Sequence, residues 1–135
     1  MPNAHLKPIL NSALPTEFRQ LRIELAREPG HPDGETDVGF VVVAPLDGDG
    51  RINAALWRKH REACRIARLR PNRPIEHGHL VHRQGGGWAF HYDSGDLPDD
   101  VGLHFADERF VPGEYVSINE SGKTHTYRVA SVSRL

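Results

Sequence analysis

The stretch E-H-G-H-L-V-H-R-Q-G-G-G-W-A-F-H-Y-D, Glu76 to Asp93, reads as two short strands joined by a glycine turn. Glycine alone tolerates positive φ at both central positions of a tight hairpin, so Gly85-Gly86 is expected to form a two-residue turn. That register sets Arg83 opposite Trp88 and Val81 opposite Phe90. Side chains alternate across a strand. One face then carries His77, His79, Val81 and Arg83 opposite Trp88, Phe90 and Tyr92, and the aromatics turn it toward the core with His77 and His79 at its rim. The other face carries Leu80, His82, Ala89, His91 and Asp93.

Strand signals continue on both sides of this hairpin. F-R-Q-L-R-I-E-L-A-R, Phe18 to Arg27, alternates Leu21, Ile23 and Leu25 with Arg22, Glu24 and Ala26, as a half-buried strand does, although its residues also favour helix. V-G-F-V-V-V-A-P-L is β-branched and apolar at successive positions, the pattern of a strand covered on both faces. C-R-I-A-R-L-R alternates until Pro71 and Pro74 stop it, and either a third strand or a prolonged helix fits it. Ser121-Gly122 marks a second hairpin, pairing Glu120 with Lys123, Ile118 with His125 and Val116 with Tyr127. V-G-L-H-F adds a short strand between the hairpins.

One helix is expected near residues 54–63. Asn53 suits the N-cap, and Ile52 and Trp57 stand where a hydrophobic staple needs them. This helix would bury Ala55, Leu56, Trp57 and Ala63 and turn Arg58, Lys59, Arg61 and Glu62 outward. Seven to eight strands without a βαβ rhythm predict an α+β fold, either a mainly antiparallel sheet or a small half-open barrel.

The chain has 135 residues, which suits one domain over residues 16–135 behind a flexible leader at residues 1–15 that contains Pro2, Pro8 and Pro15. No apolar run is long enough to predict a membrane-spanning helix. Cys64 is the single cysteine, so no intrachain disulfide is available and thiolate-rich zinc sites are excluded. A cytoplasmic location is the matching expectation. Cys64 stands among Ala63, Ile66 and Ala67, which marks a small core residue rather than a nucleophile.

A formal net charge of −1 gives no general attraction to nucleic acid or to an anionic membrane. The charges are nevertheless segregated. Arg58, Lys59, Arg61, Arg65, Arg68, Arg70 and Arg73 face a single Glu62 within one stretch, whereas Asp93, Asp96, Asp99, Asp100, Asp107 and Glu108 follow one another with no Lys or Arg between them. The two blocks either neutralise each other or leave Arg58, Arg61, Arg65 and Arg68 as a patch for an anionic ligand.

The histidines offer a second kind of site. A divalent metal needs three or four N or O donors, which His82, His91 and Asp93, or His77 and His79 with His104 or His125, could supply. His91 beside Asp93 also suits a general base with an orienting carboxylate, yet no convincing nucleophile accompanies it. His77-Gly78-His79 is similar to the first metal motif of cupins, but Arg83 or Gln84 stands where the cupin Glu belongs. F-V-P-G-E-Y-V-S-I, Phe110 to Ile118, is similar to a strand of flavin-binding reductase barrels, without the flavin signature that should follow it.

Taken in order, L-A-R-E-P-G-H-P-D-G, A-P-L-D-G-D-G-R-I, G-H-L-V-H-R and F-V-P-G-E-Y-V-S-I resemble a family of small bacterial proteins of uncharacterised function. The resemblance implies one compact β-rich domain and no particular activity. The reading favoured by the residues is a small cytoplasmic binding or interaction domain without catalysis or cofactor, for a small anionic ligand or a protein partner. The alternative is a His-dependent metal-binding protein or hydrolase centred on the 77–93 hairpin.

Overall fold

The computed structural model describes residues 13–135, so the leader expected over residues 1–15 lies outside it as far as residue 12. Eight strands follow one another: β1 (Phe18–Leu25), β2 (Glu35–Pro45), β3 (Arg65–Leu69), β4 (Glu76–His82), β5 (Trp88–Tyr92), β6 (Asp100–Leu103), β7 (Tyr115–Glu120) and β8 (Lys123–Arg134). A short helix, α1 (Ala54–Lys59), and a 3-10 turn (Arg61–Ala63) lie between β2 and β3. Each strand pairs antiparallel with the next, and β8 returns to β1, so the expected half-open barrel is in fact closed. Register shifts at Glu24/Leu25 against β2 and at Arg22/Ile23 against β8 explain the closure. Such bulges bend a strand and increase its twist, which brings the ends of a sheet together.

The strand reading of Phe18–Leu25 prevails over helix because Leu21, Ile23 and Leu25 are buried and both edges are hydrogen-bonded to neighbours. Tertiary pairing overrides local propensity here. C-R-I-A-R-L-R likewise forms a strand, packed between β2 and β4. The second hairpin has the expected pairs, with Ser121 at φ 52° and Gly122 at φ 86°.

The first hairpin differs by one residue. Arg83 N–H donates to Gly87 O at 2.7 Å and Gly86 N–H to Arg83 O at 3.1 Å, so the loop holds Gln84, Gly85 and Gly86 rather than two glycines. Leu80 therefore pairs with Phe90, and His82 with Trp88. A slip of one residue turns every side chain of a strand to its other face. Leu80 and His82 thus join Trp88, Phe90 and Tyr92 inside, while His77, His79 and Val81 point outward with Ala89, His91 and Asp93.

The helix is also shorter than expected. Asn53 caps it, its Oδ1 accepting from Leu56 N–H at 3.0 Å, and Trp57 is buried, but Ala55 is exposed. His60 leaves the helical region at φ −133°, and the chain tightens through the 3-10 turn so that Cys64 O can accept the Leu80 N–H at 2.8 Å. Cys64 is fully buried and its thiol is pushed up to about 12 by burial, which fits a core residue and not a nucleophile.

Inward residues fill the barrel. Phe40 contacts both Phe90 and Tyr127, and Phe105 joins Phe90 to Phe110. Between them remains about 10 Å³ of open volume, lined by Leu21, Val42, Leu80 and Phe90 among others. That is no larger than one water needs. No helix of the described residues is long and apolar enough to cross a membrane.

Gly78 stands where β5 leaves no room for a side chain on β4. A Cβ there would lie 2.2 Å from the His91 carbonyl oxygen, which is backbone and cannot swing away. Gly78→Ala is expected to cost about 1–3 kcal/mol and to lower Tm by several degrees in calorimetry. An unchanged Tm would mean that the two strands do not approach so closely.

Candidate functional site

Because neighbouring strands are antiparallel, the ends of β1, β3, β5 and β7 meet the starts of β2, β4, β6 and β8 at one mouth of the barrel. Arg68 points into that mouth from β3, on the same side of the strand as buried Ile66. It stands 3.4 Å from Asp100, 3.1 Å from Glu120 and 3.7 Å from Glu76, and its guanidinium lies 5.7 Å from the Tyr92 ring centre. Tyr92 donates to Asp100 and Tyr127 donates to Glu120. Arg70 pairs with Glu76 at 2.8 Å, and His125 pairs with Glu28 at 3.1 Å.

Burial sets the protonation of this cluster. It raises the pKa of Asp100 and of Glu120, an effect that the tyrosine hydrogen bonds and the Arg68 charge offset in part. Burial also opposes the Arg68 charge, but Tyr92, Asp100, Glu120 and Glu76 more than offset it and raise its pKa. Both tyrosine hydroxyls are raised by burial and by the adjoining carboxylates. Among the described residues no buried side-chain polar atom lacks a partner. The cluster is a satisfied polar plug, and it uses Arg68 internally instead of presenting it to a ligand.

The sequence candidates divide accordingly. His82 is turned inward, its ring stacked on Trp88 at 4.2 Å, so His82, His91 and Asp93 do not form one site. His77, His79, His91 and Asp93 all lie on the outer face. His79 Nδ1 is 3.0 Å from Asp93 Oδ1, and His91 Nδ1 is 2.7 Å from Asp99 Oδ1. A carboxylate anion only accepts, so each Nδ1 carries the proton. Arg83 braces Asp99 from the other side at 2.8 Å. Burial would raise the Asp99 carboxyl, but the hydrogen bonds from Arg83 and His91 hold it below its ordinary value.

Arg58, Lys59, Arg61 and Arg65 are exposed and form no ion pair among the described residues. The acidic and basic blocks meet through Arg68 and Asp100, and the other cations of the patch stay free of that neutralisation. Arg61 lies over the Trp57 ring at 5.0 Å. Beside it runs an open groove of about 380 Å³ lined by Trp57, Arg61, Glu62, His79, Leu80, Val81 and His82. Arg65 flanks the groove as the direct cross-strand partner of His79.

Family models, curated proteins and solved structures gave no match.

Several residues of the polar plug were not singled out from the sequence. Asp100 and Glu76 sit at strand starts where no local pattern marks them. Glu120 entered the sequence reading only as the partner of Lys123, although the alternation Val116, Ile118, Glu120 puts it on the inward face.

Replacing Arg68 by Met would leave Asp100 and Glu120 buried without their cation, a loss of about 3–5 kcal/mol in urea unfolding at pH 7. Their raised carboxyl pKa values mean that the fold favours the protonated forms. That contribution is full below the ordinary carboxylate range and is lost as pH rises through the raised values. The deficit of Arg68→Met should accordingly shrink as pH falls toward 4, and a deficit independent of pH would contradict the assignment.

Proposed function

We propose that the protein is a binding domain for an anionic ligand with an apolar portion, seated in the groove between α1 and β4. An acidic segment of a partner protein has this character. The observation that carries the reading is Arg61, a cation without a carboxylate partner among the described residues that lies over Trp57 on the wall of the groove, with Arg65 next to groove-lining His79 and the unpaired Arg58 and Lys59 on the same short helix as Trp57. Apolar side chains supply contact area, and arginines supply charge-assisted hydrogen bonds to carboxylate or phosphate. The cavity of about 10 Å³ among the inner side chains is too small for such a ligand, which supports an external site.

The groove can be tested with an Asp- and Glu-rich peptide that carries Leu but no Trp, followed by the joint fluorescence of Trp57 and its neighbour Trp88. Binding should weaken with added salt, and the combined variant Arg58→Ala, Arg61→Ala, Arg65→Ala should bind about tenfold less tightly, which corresponds to about 1.4 kcal/mol. No saturable binding at low salt, or affinity unaffected by the three substitutions, would remove the basis of this function.

A further inference from the structure

We propose that His79 and His91 form a two-histidine site for a divalent transition metal of the zinc, nickel and copper class on the outer face of the barrel. This goes beyond the anion-binding reading and shares only His79 with the groove. His79 and His91 are direct partners in the β4–β5 register. Side chains at such positions start about 4.5–5.5 Å apart at Cβ, a span that one ion with Nε2 donors at about 2.0–2.1 Å can bridge.

The second observation concerns the other ring nitrogens. Metal-ligating histidines hand the nitrogen that does not bind the ion to a carboxylate, which fixes the tautomer, orients the ring and raises its basicity. Both members of this pair already do so, His79 to Asp93 at 3.0 Å and His91 to Asp99 at 2.7 Å. Neither Nε2 has a hydrogen-bond partner among the described residues, and the side chains are 37% and 57% exposed, so an ion has access. The other histidine–carboxylate contacts, His31 with Glu35 and His125 with Glu28, involve single histidines.

Among the described residues no group of three His, Cys, Asp or Glu side chains could hold an ion. The site therefore gives two protein ligands, and water or an oxygen of a bound ligand completes the shell. Imidazole donors favour zinc, copper and nickel over magnesium and calcium. The charged groups that face the pair are Arg65 from β3, Arg61 and Glu62 beside the groove, and Asp93, Asp99 and Arg83. The two carboxylates behind the rings offset the neighbouring cations. Binding needs both imidazoles free of a proton at Nε2, so it is lost in acid.

Tag-free full-length protein titrated calorimetrically with Zn²⁺ and with Cu²⁺ at pH 7.5 should bind one ion per chain. The Nε2 resonances of His79 and His91 should shift together in imidazole NMR. His79→Gln or His91→Gln should abolish saturable binding, whereas His77→Gln and His82→Gln should retain it. Asp93→Asn and Asp99→Asn should weaken it about 10- to 100-fold, and lowering the pH to 5.5 should release the ion. Circular dichroism of each variant separates loss of the site from loss of the fold. Absence of saturable binding by the native protein, or binding that survives His79→Gln and His91→Gln, would overturn the proposal.

Discussion

Pairing of β1 with β8 is the constraint on which the rest of the molecule depends. Left open, the two strands would present rows of unpaired N–H and C=O groups, the usual route to unwanted association. Closed, the sheet acquires an inside, and eight strands enclose a space that side chains can fill. Phe40, Phe90, Phe105 and Tyr127 occupy it in mutual contact. The cavity left among these side chains, about 10 Å³, has room for one water at most.

The two ends are closed by opposite chemistry. At one, α1 brings Trp57 against Trp88, with the indole N–H donated to Leu80 O at 2.8 Å. At the other, Arg68 collects Glu76, Asp100 and Glu120 and shares two of them with tyrosine hydroxyls. Buried ion pairs add little net stability compared with apolar packing of the same volume, but removal of one member strands the others. The plug therefore ties six strands to one guanidinium, and its cost falls on any chain that lacks one of its parts.

Much of the fold was legible, and the exceptions have a common physical origin. The strand periodicity, the Asn53 cap and the Ser121-Gly122 turn are local signals, each readable from a few neighbouring residues. Closure was not readable, because it depends on bulges in β1 that appear only once both neighbours are in place. The inward role of Arg68 was half visible, since it alternates with Ile66, but a charged residue reads as solvent-facing until its three carboxylates are assembled around it. Among the candidate histidines the faces were misassigned: the register turns His77 and His79 outward and His82 inward.

That last difference comes down to one residue in a turn. With Gln84 included in the loop, β4 is displaced by one position against β5, and His82 moves from the solvent face to a stack on Trp88. The same displacement carries His79 outward to stand opposite His91, within reach of Asp93. It also places His79 on the wall of the groove that Arg61 overhangs. One imidazole thus belongs to both surfaces. An ion on the histidine pair would add positive charge at the edge of the basic groove and strengthen its attraction for an anion, whose oxygen could in turn fill the ion's open coordination positions. With both sites occupied, linkage would make each raise the affinity of the other equally, so the one extra residue in the turn would set both which histidines are exposed and whether the two surfaces could couple.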